Sequence, residues 1–538
     1  MAERDEIIID NPANLSSLGN TDAKGGETLL LTTAAKGTLL NFMGSTAARL
    51  MALFLQVLVC RLYGREYYGL FVTGLLICQI TQIISALGLQ KGGMRFMAMA
   101  HERHDYNVMH DIFKTAVFFP LLFGIFMGSV CYGLSPFLAV TCFKDAEMVY
   151  VLRSFSFAVP FFALLRVGSD LSRAFKTTKY AVMVDNLLFG LLQVAFFIAL
   201  IALGYGFLSI VYSFIFAAAL SSILMLILAH RQLRVFTGPL PALRNKGRYS
   251  YSFFPKNWRP ILAYSVPLTP FGLLLVAGSS VDIIMLNILS DSAKVGEYAA
   301  AARWVMLFGM ITCSLDLIFG PLMAGQFGLN QANKLKLLYR ASSRWMFFLT
   351  LPAAVSLVLA REPLMMVFGK GFLLHGPAVL GILVLASPFV GVAGSAGILF
   401  VISRHQYVEL SCLAGNMLLN ILLNLLWIPQ YGLLGAAVAT AVGTIVTASA
   451  RILLVYRHLK IHPFSAHLLI PALAGLILCL GGLFVEWKFH PCAVAELGLA
   501  IGAACLVLLI IIKKGMDVHD RCLLGILGQR FCKAVGFR

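Results

Sequence analysis

The chain has 538 residues, of which 59% are hydrophobic and 12% charged, and its mean hydropathy is +0.86. Soluble proteins carry about 25% charged residues, so this composition excludes a water-soluble globular protein. The bilayer is the solvent, and helices long enough to cross an apolar core of about 30 Å are expected. The formal net charge of +18 raises nucleic acid as a partner, and the positions of the charges decide that question.

Residues 1–36 are polar and mixed in charge, lack a signal-peptide core, and read as a disordered cytoplasmic tail. Six apolar runs of spanning length follow near 38–60, 67–89, 115–138, 148–168, 180–203 and 207–229, forming an N-terminal six-helix bundle over 37–229. A basic loop, 230–259, separates them from six more runs near 260–289, 297–322, 343–360, 376–402, 407–428 and 433–456, a C-terminal bundle over 260–460. Two extra spans near 467–486 and 493–512 lie within 461–514, and a basic cytoplasmic tail occupies 515–538. The expected class is an all-α polytopic membrane protein with about 14 transmembrane helices; movable boundaries leave twelve or thirteen open.

Charge fixes the expected orientation. With the N-terminus inside, the inner loops carry Lys91, Arg95, Arg173, Lys176, Lys334, Arg340 and Arg457, and 230–259 is basic throughout without one acid. The outer loops are sparse in basic residues, among them Lys144, Lys294 and Lys370. By the positive-inside rule both termini are cytoplasmic. The positive charge is then orientation signal and contact with anionic membrane lipid, which excludes nucleic acid. Around 521–538, Leu523, Leu527 and Phe531 alternate with Arg530 and Lys533, the pattern of a short basic helix on the inner leaflet or of a basic tail.

The two bundles repeat one another. QYGLLGAAVATAVGTIVTASARILLVYRHL (430–459) and GYGFLSIVYSFIFAAALSSILMLILAHRQL (204–233) share a Tyr-Gly turn, an apolar helix and a closing arginine and leucine. Gly69-Leu-Phe71 matches Gly296-Glu-Tyr298 at a spacing of about 227 residues. Pro136 and Phe143 match Pro363 and Phe368, Pro160 matches Pro388, and Tyr180 matches Tyr407. A constant spacing across six spans implies two parallel six-helix units that rock against each other around a shared cavity.

RLYGREYYGLF (61–71), KVGEYAAAARW (294–304), LMMVFGKGF (364–372) and NILLNLLWIPQYGLLGAAVATA (420–441) resemble the polysaccharide flippases, Wzx-like O-antigen and exopolysaccharide translocases of the MATE/MOP superfamily, over about residues 37–460. The resemblance implies the MOP flippase fold. It also implies alternating-access movement of a polyprenyl-pyrophosphate-linked oligosaccharide to the outer leaflet, in lipopolysaccharide or exopolysaccharide biosynthesis at the bacterial inner membrane. The implied partners are that lipid-linked substrate and the membrane lipids, with a polysaccharide polymerase complex left open. Two extra C-terminal spans fit this branch better than the twelve-span drug exporters.

Ionisable groups inside spans are candidate functional residues, because hydrocarbon makes them costly. Asn41, Ser45, Arg49 and Gln56 share one face of the first span, a polar stripe expected to line the cavity. The family tends to place basic residues in the first and eighth spans, which carries over to Arg49 and Arg303. Guanidinium stays charged and offers forked donors to phosphate. Arg166 and Arg451 are further candidates to hold a pyrophosphate, or snorkel to headgroups. Among the acids, Asp185, Asp282, Asp316 and Glu409 are candidates for ion coupling or salt bridges. Asp282 follows Pro267, Pro270, Ser279 and Ser280, where freed carbonyls can bind a cation, or it pairs with Arg49 or Arg303. Asp316 lies about 220° round the helix from Arg303, so the two share no narrow stripe. Glu409, Asn416, Asn420 and Asn424 share a face, as a coupling site or an interhelical seam.

No cofactor is expected beyond possible coupling to H⁺ or Na⁺. No metal cluster, disulfide framework or Walker A loop is written in the chain, so the expected function is non-enzymatic transport. Two alternatives remain: a cation-coupled multidrug exporter, which needs an acidic cavity, and a membrane glycosyltransferase or ligase, which needs larger outer loops than these.

Overall fold

The computed structural model describes residues 22–516 except residue 176, 238–254, 256–257, 465 and 490–491, with side chains from Met43 onward. Most of the basic loop 230–259, the tail from 517 with its expected basic helix, and residues 1–21 lie outside the described residues. Among those described, every regular element is helical. Thirteen helices among the described residues are long and apolar enough to cross a membrane.

The first helix, α1 (Asp22–Ser85), accounts for the difference from fourteen. It breaks at Gly64, whose φ of 82° and ψ of −175° suit a residue without Cβ. The parts 43–63 and 65–85 are each of spanning length, so α1 supplies the first two expected spans. The backbone of α1 starts at Asp22, inside the segment expected as a disordered tail. α2 (Leu89–Glu102) occupies what the sequence presented as an inner loop. It is helical because Leu89, Gly92, Gly93, Met97 and Ala100 recur at helical spacing and bury one face, with Lys91 exposed on the other.

α3 (Tyr106–Cys142), α4 (Met148–Arg173), α5 (Lys179–Ala202) and α6 (Gly206–Val235) complete the first lobe. The second comprises α7 (Trp258–Gly278), α8 (Val281–Leu289), α9 (Ser292–Gly328), α10 (Ala332–Leu359), α11 (Gly376–Ile402), α12 (Gln406–Tyr431) and α13 (Leu433–Leu459). α7 tightens to a 3₁₀ turn at Val266–Leu268 around Pro267, and the chain breaks again at Ser279–Ser280 before α8. Opening of α5 is π-helical over Val182–Leu188, the segment that carries Asp185.

α14 (Leu469–Phe489) and α15 (Ala493–Gly515) pack on α10. Gly475 and Gly482 of α14 meet Leu351 and Leu359, leaving no room for a side chain, and Ser356 donates to the Ala500 carbonyl at 3.2 Å. Small residues permit this close approach, which drives helix association where water is absent.

The lobes meet along a seam between α1 and α9. A Cβ on Gly69 would overlap the Ser292 carbonyl, and a Cβ on Gly296 would overlap that of Arg65. Residues 65 and 69 therefore face 292 and 296, the same two positions of each repeat, across an approximate two-fold axis. Tyr68, Phe372, Phe155 and Phe214 fill the core beneath this crossing. At the opposite end α2 abuts α7, where Gly88 and Gly92 lie against Ser265.

Candidate functional site

Above the glycine crossing the seam is pinned by polar contacts. Glu297, fully buried, accepts from the backbone N–H groups of His375 (2.6 Å) and Gly376 (2.7 Å) at the start of α11. Its carboxylate satisfies donors that a helix N-terminus leaves free. Arg65 reaches the same carboxylate at 3.5 Å and the Gly371 carbonyl at 3.3 Å, and Arg61 donates to the Val367 carbonyl at 2.8 Å. Ser292 donates to Asp145 at 2.9 Å, and one turn below Gly69 the buried Asn287 donates to Thr73 at 2.6 Å. A polar vestibule of about 650 Å³ lies over these groups.

The stripe on the first span divides. Gln56 is buried and accepts a hydrogen bond from Tyr68 at 3.2 Å. Arg303, half-buried in α9, sits close enough to Tyr68 and Cys60 for its charge to act on both. Gln56 therefore bonds within α1, across the break at Gly64, to a tyrosine that neighbours Arg303. Arg49 lies about 20° from Gln56 around the helix and two turns away, and it is exposed. Ser45 is half-buried, and the side chain of Asn41 lies outside the described residues. Among the described residues neither Arg49 nor Arg303 has a carboxylate partner; Arg303 lies within hydrogen-bonding range of Tyr68 and contacts the Met306 sulfur at 3.5 Å.

The remaining candidate arginines are paired. Arg166 contacts Asp185 at 3.1 Å and stacks over the Phe162 ring. Arg451 forms a two-pronged pair with Glu409, one arm at 3.1 Å. Each has a carboxylate partner on a neighbouring helix. Beside Arg166, Asp170 holds both Lys91 (3.2 Å) and Arg173 (2.7 Å). A cavity of about 370 Å³ lies among these charges, and Val276 of α7 also lines it.

Asp282 pairs with neither Arg49 nor Arg303. It is buried, takes a short hydrogen bond from the Tyr298 hydroxyl, and lies 3.4 Å from the Thr440 hydroxyl. The break between α7 and α8 turns it inward, away from the arginines of the seam. Tyr298 and Thr440 are 3.1 Å apart, Asn420 donates to Thr440 at 3.3 Å, and Asn424 donates to Asn420 at 2.6 Å. Thr447 donates to Asn416 at 3.0 Å. The Glu409–Asn424 face is thus an interhelical seam with α13, and its upper end runs into Asp282. Asp316 stands apart from Arg303, next to Ser395 and within range of Arg451.

Between α10, α11 and α14 runs an apolar groove of about 640 Å³, lined by Leu351, Val355, Phe389, Leu469 and Ala472 among others. Sequence reasoning missed Tyr298, Thr440, Glu297 and Gln82. Glu297 and Tyr298 sit inside the repeated Gly-x-aromatic motif, which was the one available signal. Thr440 carried none, since hydroxyls are routine in packed membrane helices.

The family model described as "Polysaccharide biosynthesis protein" matches residues 34–319. Among solved structures, lipid II flippase MurJ in an inward closed conformation superposes with a TM-score of 0.70 at 15% identity, covering 90% of this chain and 100% of that one. An inward-facing multidrug resistance MATE family transporter of the MOP superfamily gives 0.60 at 15% identity, covering 76% and 94%. The Vibrio cholerae MATE transporter VcmN gives 0.55 at 14% identity, covering 80% and 98%. No curated protein sequence matches. The expected all-helical, multi-pass fold is shared with these transporters, and the chain belongs to the polysaccharide biosynthesis protein family, built on the MOP-superfamily fold.

Proposed function

We propose that this protein carries a polyprenyl-pyrophosphate-linked oligosaccharide from the cytoplasmic to the outer leaflet of the bacterial inner membrane by alternating access. One observation carries the reading: Arg49 on α1 and Arg303 on α9 have no carboxylate partner among the described residues, whereas Arg166, Lys91, Arg173 and Arg451 are paired with Asp185, Asp170 and Glu409. An unpaired guanidinium in a membrane costs about 2.5–3.5 kcal/mol and persists where an anion offsets it. A pyrophosphate fits the forked donors. The apolar groove beside α14 suits an isoprenoid tail, so head and tail have separate surfaces.

Orientation follows from the basic loops: the Lys91 end faces the cytoplasm, together with both termini, and the glycine crossing closes the outer side. For energy coupling we propose H⁺ or Na⁺ at Asp282, assisted by Thr440 and Asn420. The buried Asn424 Oδ1 further along that chain has no hydrogen-bond partner and is a free acceptor. A polysaccharide polymerase remains a proposed partner without a surface assigned to it.

Deletion of the gene tests the reading. Accumulation of lipid-linked oligosaccharide on the cytoplasmic leaflet is the expected outcome. Unaltered surface glycans with changed dye sensitivity would instead make the protein a drug exporter, and sugar transfer by the purified chain would make it a glycosyltransferase.

A further inference from the structure

The charged cavity at the Lys91 end contains more than ion pairs. Gln82 and Asp185 both line it and both are more than nine-tenths buried. Gln82 Nε2 is a buried donor with no partner, and Asp185 Oδ1 is a buried acceptor with no partner, since Arg166 and Ser169 both bind the other oxygen. Buried polar atoms in native proteins are normally satisfied, and an exception calls for a reason such as a ligand. Asp185 also rides on the π-helical opening of α5, and π-segments are frequent at functional sites.

The lining decides what kind of ligand fits. A phosphate wants donors only, and Asp170 and Asp185 repel it. A cation is opposed by Lys91, Arg166 and Arg173. A hydroxyl group both donates and accepts, and one donor beside one acceptor suits a pair of neighbouring sugar hydroxyls. Gln79 and Gln90 add amides of the same character. The volume of about 370 Å³ falls in the small-molecule range of about 300–1,000 Å³.

The position agrees with this. Gly44 of α1 is packed against Val182, less than one turn from Asp185 along α5. Arg49 lies five residues beyond Gly44, about 7.5 Å along the same helix. A head bound at Arg49 therefore leaves its attached sugars beside the cavity. We propose that this cavity is a glycan subsite, in which Gln82 and Asp185 bind hydroxyls of a sugar near the lipid end of the cargo; the inference rests on the flippase function proposed above.

The test compares two probes on the purified full-length protein in lipid nanodiscs: a bare polyprenyl pyrophosphate, and the lipid-linked oligosaccharide extracted from the deletion strain. The wild type should bind the sugar-bearing probe about tenfold more tightly. Gln82→Leu should remove most of that preference while leaving affinity for bare pyrophosphate unchanged, which also reports an intact fold; Asp185→Asn should remove it too, read as the ratio of the two affinities because this change also unpairs Arg166. Equal wild-type affinity for the two probes, or variants that lose neither or both alike, would overturn the subsite while the flippase reading stands. A wild type that binds neither probe would overturn the flippase reading and the subsite with it.

Discussion

Leu55 and Asp282 occupy corresponding places in the two repeats, as do Phe71 and Tyr298, and Arg49 and Val276. In the first lobe Leu55 is buried in the core and Phe71 packs on Phe155, with ring centroids 5.9 Å apart. In the second the same two places hold a buried carboxylate and the hydroxyl that donates to it. The repeats have thus diverged at these two places, which are apolar in one lobe and hold a hydrogen-bonded acid in the other. Two predictions belong at this scale. Arg49→Ala should slow transport at least ~100-fold with the protein still inserted, and Arg49→Lys should restore only part, because the ammonium lacks the fork; oligosaccharide accumulation in cells reports both. Raising Na⁺, or lowering pH if the ion is a proton, should raise the melting midpoint of the purified wild type by several degrees through binding linkage and leave Asp282→Asn unmoved. A wild type indifferent to both ions would remove the coupling site.

The decisive element is the crossing of α1 with α9. Backbone meets backbone at Gly69 and Gly296, so even one added methyl has no space and a larger group must part the helices. Overpacking of this kind typically costs about 1–3 kcal/mol, enough to shift a two-state balance about fivefold or more toward the open arrangement. Thr73, fully buried one turn below, is a convenient reporter. A Thr73→Cys thiol should resist a membrane-impermeant maleimide in an otherwise wild-type chain and react readily when combined with Gly69→Leu. Equal labelling in the two backgrounds would mean that this crossing is not the outer closure. Glu297 has a related role, since it ties α9 to the start of α11 and to Arg65 on the opposite lobe.

Across the whole molecule, two lobes share a seam, and the last two helices add an apolar surface outside them. Under the proposed function that surface would take the hydrocarbon of the cargo, and its charged and hydroxyl-bearing parts would go to the polar surfaces between the lobes. Ala472→Trp should fill the groove without disturbing either lobe. We expect at least tenfold slower transport of the lipid-linked substrate, an unchanged melting midpoint, and unchanged binding of a soluble pyrophosphate. Normal transport by this variant would place the tail elsewhere.

The sequence by itself determined the membrane class, the span positions, the duplication and the family resemblance. Each of these is a property of hydropathy over about 20 residues or of a constant spacing, and such signals do not depend on how helices meet. It also picked out Arg49, Arg303 and Asp282, because a charge inside a hydrophobic run is conspicuous. Partners were decided only by the tertiary structure. Asp282 with Tyr298, Arg166 with Asp185, Arg451 with Glu409, and Gln82 facing a cavity all depend on rotations of neighbouring helices. Those rotations follow from small-residue contacts such as Gly69–Gly296 and from breaks at Gly64 and Ser280. A helical face has several possible neighbours, and packing between lobes selects which one it meets.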